Sequence, residues 1–118
     1  MGNYSAYIDG SKLLSLELMN TREAQMKGLQ FSEGLSDSNG LLFPTRGGQG
    51  YHMNNVPFDI DICFTDEAGK ILEITRMASG WGGASAPPQS KWAIETNQGF
   101  WRRENLGAGD ILTIIPEV

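Results

Sequence analysis

Apolar and polar residues alternate along much of the chain with a period of two, the pattern of strands that present two different faces. The clearest run is Phe58, Ile60, Ile62 and Phe64 interleaved with Asp59, Asp61, Cys63 and Thr65. Asp66-Glu67-Ala68-Gly69 closes a turn, and residues 70–77 return with Leu72 and Ile74 on one face, which predicts a β-hairpin. Leu14, Leu16 and Leu18 alternate with Ser15 and Glu17 in an earlier strand. Asn20 and Glu23 form a variant capping box for a short helix over residues 21–27, stopped by Gly28. Two turns of helix do not stand alone, so Ala24 and Met26 are expected to pack on the sheet. Leu41-Leu42-Phe43 reads as a short buried strand ended by Pro44. Residues 45–50 read as a Gly-rich loop and residues 79–90 as a long flexible connection. Residues 91–96 form a strand, residues 98–105 one or two helical turns, and residues 110–115 a last strand stopped by Pro116.

These elements predict a mainly β fold, α+β at most. It is a small antiparallel barrel or sandwich of about five to seven short strands with one or two short helices, in a single domain over residues 1–118. Residues 1–10 read as an N-terminal arm, 11–115 as the β-rich core and 116–118 as a tail. The 118-residue length fits one domain able to bury its own core. Gly 15 and Pro 5 punctuate the chain often, which suits brief strands better than long helices.

Charge narrows the partners. A formal net charge of -5, spread over both halves, leaves no basic region to follow a phosphate backbone, so nucleic acid is not expected. No apolar run approaches the roughly 20 residues that span a bilayer, and no membrane partner is expected. The start of the chain lacks the basic and apolar regions of a secretory signal, which implies a cytoplasmic protein or one inside an assembled particle. The Met1-Gly2 pair does not complete an acylation motif, because Ala6 stands where Ser or Thr is needed. One Cys and one His exclude a disulfide framework and a four-ligand zinc site.

Several blocks, taken in order, resemble the domain of unknown function 192 (DUF192) family over roughly residues 14–115. They are Gly28-Leu29; Gly40-Leu41-Leu42-Phe43-Pro44; Tyr51-His52-Met53-Asn54-Asn55-Val56-Pro57-Phe58-Asp59-Ile60; Gly69-Lys70-Ile71; and Gly107-Ala108-Gly109-Asp110. The chain departs from the family pattern at Gln30, usually Met, near Ser32, usually Arg, and at His52, usually Trp. The resemblance implies a small, mainly β, barrel-like domain with a helix after the first strand, and it supplies no activity.

Candidate chemistry is sparse. His52 is the sole imidazole, so any triad must run through it. Asp59 and Cys63 complete such a trio on paper, but Cys63 lies mid-strand with no cationic neighbour in sequence to lower its pKa and reads as a buried structural thiol. Asp59 and Asp61 share a strand face about 6–7 Å apart; Asp61 reads as a solvated surface residue and Asp59 as a loop brace. Gly47-Gly48-Gln49-Gly50 fits neither a dinucleotide nor a phosphate loop. No catalytic site, cofactor or metal is expected.

Two functions remain. The first is a non-catalytic interaction or structural module, a subunit or decoration of a larger assembly such as a phage particle. Its contacts with other protein subunits would be made by Tyr4, Tyr7, Trp81 and Trp101. Trp81, flanked by glycines and without periodic neighbours, either packs back or anchors a partner. The alternative is a small-ligand binder or hydrolase with a polar pocket formed by His52, Asn54, Asn55 and Asp59.

Overall fold

The computed structural model describes residues 3–30 and 34–117. Met1-Gly2, the family departure near Ser32, and the end of the tail at Val118 lie outside the described residues. The elements in chain order are β1 (Asn3–Ile8), β2 (Ser11–Leu18), α1 (Arg22–Lys27), β3 (Asn39–Pro44), β4 (Gly50–His52) and β5 (Ile60–Thr65), followed by β6 (Ile71–Met77), β7 (Gly83–Ser85), β8 (Trp92–Asn97), α2 (Phe100–Arg103) and β9 (Thr113–Pro116). Seven strands form one sheet in the order β6-β5-β8-β3-β2-β1-β9, and β4 with β7 forms a separate two-stranded ribbon. Neighbours are antiparallel except β2 and β3, which are parallel because α1 and the segment after it carry the chain back. No helix among the described residues is long and apolar enough to cross a membrane.

Residues 3–10, expected as part of an arm, form a strand and a turn. Asp9 and Gly10 both take positive φ, 49° and 81°, the two-residue hairpin turn that Asp-Gly favours. It folds β1 onto β2, and β9 then pairs with the other edge of β1. The ribbon is a second departure. β4 begins at the last residue of the Gly-rich loop and β7 lies within the long connection, paired from Gly50–Ser85 to His52–Gly83. The first helix is capped by Thr21, whose hydroxyl accepts from the Ala24 amide at 3.0 Å, rather than by Asn20.

The sheet is buried on both sides. One face carries Leu41, Phe43, Ile60, Ile62, Phe64 and Ala93 under the ribbon, α1 and Leu29. The other carries Ala6, Leu14, Leu16, Leu42, Cys63 and Ile94, closed by Phe100, Trp101 and Leu112. Every residue of β5 is therefore buried, polar ones included. Asp61 is not a solvated surface residue: it sits beneath α2 and accepts from the Gly99 amide at 2.9 Å.

The two ends of the strand order meet at the β5–β6 turn. Asp66 Oδ1 accepts from the amides of Ala68 and Lys70, both at 2.9 Å, and fixes the turn. The Leu112 amide donates to Gly69 O at 2.9 Å and the Ile71 amide to Asp110 O at 2.8 Å, with a bridge between Lys70 and Ile111. Gly69 has φ +87°, and a Cβ there would lie 2.0 Å from Leu112 O. Gly69→Ala should therefore lower unfolding stability by at least about 2 kcal/mol in urea denaturation. An unchanged midpoint would show that this junction does not close the barrel.

Candidate functional site

Along β8, Trp92, Ile94 and Thr96 face the second core, so Ala93 and Glu95 face the first. In register, Glu95 stands between Leu41 of β3 and Ile62 of β5. A carboxyl is thus inserted into the middle of an apolar layer, with only 5% of the residue exposed. No hydrogen bond from the described residues reaches it. Burial pushes its pKa up to about 8, so the group holds its proton at neutral pH.

Glu95 lines a cavity of about 30 Å³ between the sheet, α1 and β4. That volume admits one or two water-sized groups. Phe43, Tyr51 and Met53 form apolar walls, and Gln25, Gln30 and His52 bring polar groups around it. The Tyr51 ring meets Phe43 edge-on, with centroids 5.6 Å apart, and tilts against Phe64 at 5.8 Å. Its hydroxyl is bonded to Thr45 Oγ1 at 2.7 Å. Burial raises the Tyr51 phenol pKa, the Thr45 bond opposes the rise, and the charge of Glu95 adds to it.

The amide donors beside the cavity are already engaged. Gln25 Nε2 donates to Met19 O at 3.0 Å and Gln30 Nε2 to Met26 O at 2.8 Å. Gln30 Oε1 accepts from Asn55 Nδ2 at 3.4 Å. His52 Nδ1 accepts from the Asn54 amide at 3.3 Å, which leaves the proton of a neutral ring on Nε2.

The residues expected to form a polar pocket are only partly brought together. His52 lines the cavity and Asn55 tethers Gln30, whereas Asn54 is exposed and contributes its backbone. Asp59 lies apart. Its Oδ1 accepts from the Ser79 amide at 2.8 Å and its Oδ2 pairs with Arg76 at 2.5 Å, bracing the loop after β6. Those bonds, Arg76 first, lower its pKa. Glu95 was missed. Its signal was an acidic residue at every-second spacing with Ala93 in a strand, but only the strand order reveals apolar neighbours on both sides.

The aromatic contact residues divide. Trp81 is 82% exposed. Tyr4 is half-buried against Trp92, with ring centroids 6.1 Å apart, and Tyr7 is half-buried in β1. Trp101 is 1% exposed and part of the second core, so it has no ring to offer a partner. Cys63 is sealed in the same core, and burial, reinforced by the charge of Asp61, pushes its thiol pKa far up.

A larger open groove of about 740 Å³ runs between β6 and α2 and includes Asp61, Arg76 and Arg102. Its chemistry is less poised. Asp61 is already bonded to Gly99 and Arg76 to Asp59. Burial raises the Asp61 pKa, opposed by the Gly99 amide and by the nearby arginines. No cluster of three or more metal-ligating side chains occurs among the described residues.

The Glu95 carboxyl ties stability to pH. The folded chain holds this proton up to about pH 8, whereas an unfolded glutamate releases it near 4.3. Its contribution is therefore complete below about pH 4 and is lost as pH rises through 8. The wild type should lose on the order of 4 kcal/mol between pH 5 and pH 8.5 in urea denaturation, and Glu95→Gln should remove most of that slope. Equal slopes in the two proteins would show that Glu95 is ionised in the fold.

Comparison with known proteins adds a family and a fold. No curated protein matches the chain. A protein of unknown function from Novosphingobium aromaticivorans DSM 12444 superposes with a TM-score of 0.78 at 21% identity, over 94% of this chain and 83% of that one. A chain from Sinorhizobium meliloti 1021, named a candidate transcription regulator, superposes with a TM-score of 0.77 at 18% identity, over 95% of this chain and 92% of its own. At these identities the likeness establishes the shared fold alone. The family model for DUF192, described as Uncharacterized ACR, matches residues 5–114, nearly the whole chain, and the protein belongs to that family.

Proposed function

We propose that this protein is a non-catalytic binder of a small ligand, with its site at the Glu95 cavity. The observation that carries the reading is a carboxyl, nine-tenths buried and without a hydrogen bond among the described residues, lining a cavity beside α1. A group serving stability alone at this position would be apolar, because an unpaired buried polar group costs roughly 1–3 kcal/mol. A ligand that bonds the carboxyl offsets this cost. Catalysis has less support: the hydrogen bond to His52 comes from a backbone amide and no nucleophile, and Cys63 is sealed in the core. The acidic charge gives no support to extending the regulator name of the Sinorhizobium meliloti chain to DNA contact by this one.

A metabolite library screened by thermal shift tests the reading. At least one compound should raise the melting temperature of the wild type, and Glu95→Gln should weaken its binding about tenfold or more. A library that shifts neither protein, or both equally, contradicts it.

The exposed Trp81 favours a second reading, contact with a protein partner or another copy. Its turn is braced: the Gly82 amide donates to Ala78 O at 2.9 Å and the Met53 amide to Gly82 O at 3.1 Å. An exposed tryptophan on a hydrogen-bonded turn suits an interface anchor. Light scattering and pull-down should then show an assembly that Trp81→Ala disperses; a monomer that captures no partner in either form counts against it.

A further inference from the structure

We propose that the Glu95 cavity takes the ammonium end of a small aliphatic amine, with the alkyl chain leading outward over Met26. The proposal rests on the binding reading above and names its ligand class.

The buried, unpartnered carboxyl points to a donor-rich ligand. Gln25 and Gln30 each donate from Nε2 to a backbone carbonyl, the Tyr51 hydroxyl is bonded to Thr45, and Gln30 Oε1 accepts from Asn55. The acceptors still open beside the cavity are the Glu95 carboxyl and the side-chain oxygen of Gln25, while His52 and the exposed Lys27 bring donors to its lining. An ammonium group carries three donors and no acceptor, and it suits the two open acceptors. The space of about 30 Å³ accommodates a water-sized head group and excludes a bulky one. Phe43 and Tyr51 add aromatic surface, which attracts a desolvated cation. Met26, 64% exposed beside the cavity, supplies apolar surface for the chain that follows. The net charge of -5 favours the approach of a cation.

The titratable and charged groups facing Glu95 are few. β4 brings Tyr51 and His52, and α1 brings Lys27, which is exposed in its last turn. The flanking strands β3 and β5 place Leu41 and Ile62 opposite it. Entry of an ammonium ion at neutral pH displaces the carboxyl proton to solvent, so one proton leaves for each cation bound. Affinity should rise with pH until the free carboxyl is ionised and then level off.

The test is a titration of the full chain, labelled at the methionine methyls, with n-butylammonium chloride and separately with n-butanol, followed by NMR. Butylammonium should move the methyl signals of Met26 and Met53 and leave that of Met77, which lies outside the cavity. Its apparent Kd should fall about tenfold from pH 6.5 to 7.5 and little beyond 8.5, and Glu95→Gln should weaken it at least tenfold. Butylammonium that moves no methyl, or moves them equally in Glu95→Gln, overturns the proposal. If butanol binds more tightly and weakens as pH rises, the cavity takes a neutral acceptor; the amine proposal then falls while the binding reading stands. If neither probe binds and no library compound shifts the melting temperature, both fall.

Discussion

The sheet of this protein is covered on both faces, and most of its chemistry follows from that constraint. A half-exposed sheet would turn each polar residue of an alternating strand toward water. Here the ribbon and α1 cover one face, while the closing of the barrel and α2 cover the other. Polar residues in the central strands must therefore find a partner inside or change their ionisation state.

Two carboxyls show the alternatives. Asp61, on β5, receives the Gly99 amide at the start of α2 and lies near three arginines. Glu95, on the adjacent β8, faces the other layer and receives no hydrogen bond from the described residues. It stays neutral by holding a proton, beside a space large enough for a small group. The difference arises from the side of the sheet each residue occupies. One face is closed at the start of α2, which supplies an amide; the other is closed by the ribbon and α1, where Gln25 and Gln30 donate to backbone carbonyls instead.

Much of the fold was legible because alternation survives burial. The Asp59–Thr65 run and its four-residue turn identified the central hairpin, and glycine and proline marked the boundaries of most other elements. The ribbon was hidden because β4 and β7 are three residues each, rich in glycine and alanine, with no apolar period to read. β1 was hidden by its polar start, although Asp9-Gly10 carries a hairpin turn signal. The site was legible only at its rim. His52 stands out as the sole imidazole beside two asparagines, whereas Glu95 looks like any acidic residue in a strand until the topology places Leu41 and Ile62 beside it. Asp59 looked like both a brace and a ligand, and its bonds to Ser79 and Arg76 make it the brace.

The central claim is that a neutral carboxyl is held open toward a small cavity. Its most direct test follows the side-chain carboxyl carbon of Glu95 by NMR as pH is raised in the ligand-free protein. The account predicts that this carbon titrates near pH 8, far above the range of a free glutamate. A Glu95 signal already fully ionised at pH 6 would contradict it.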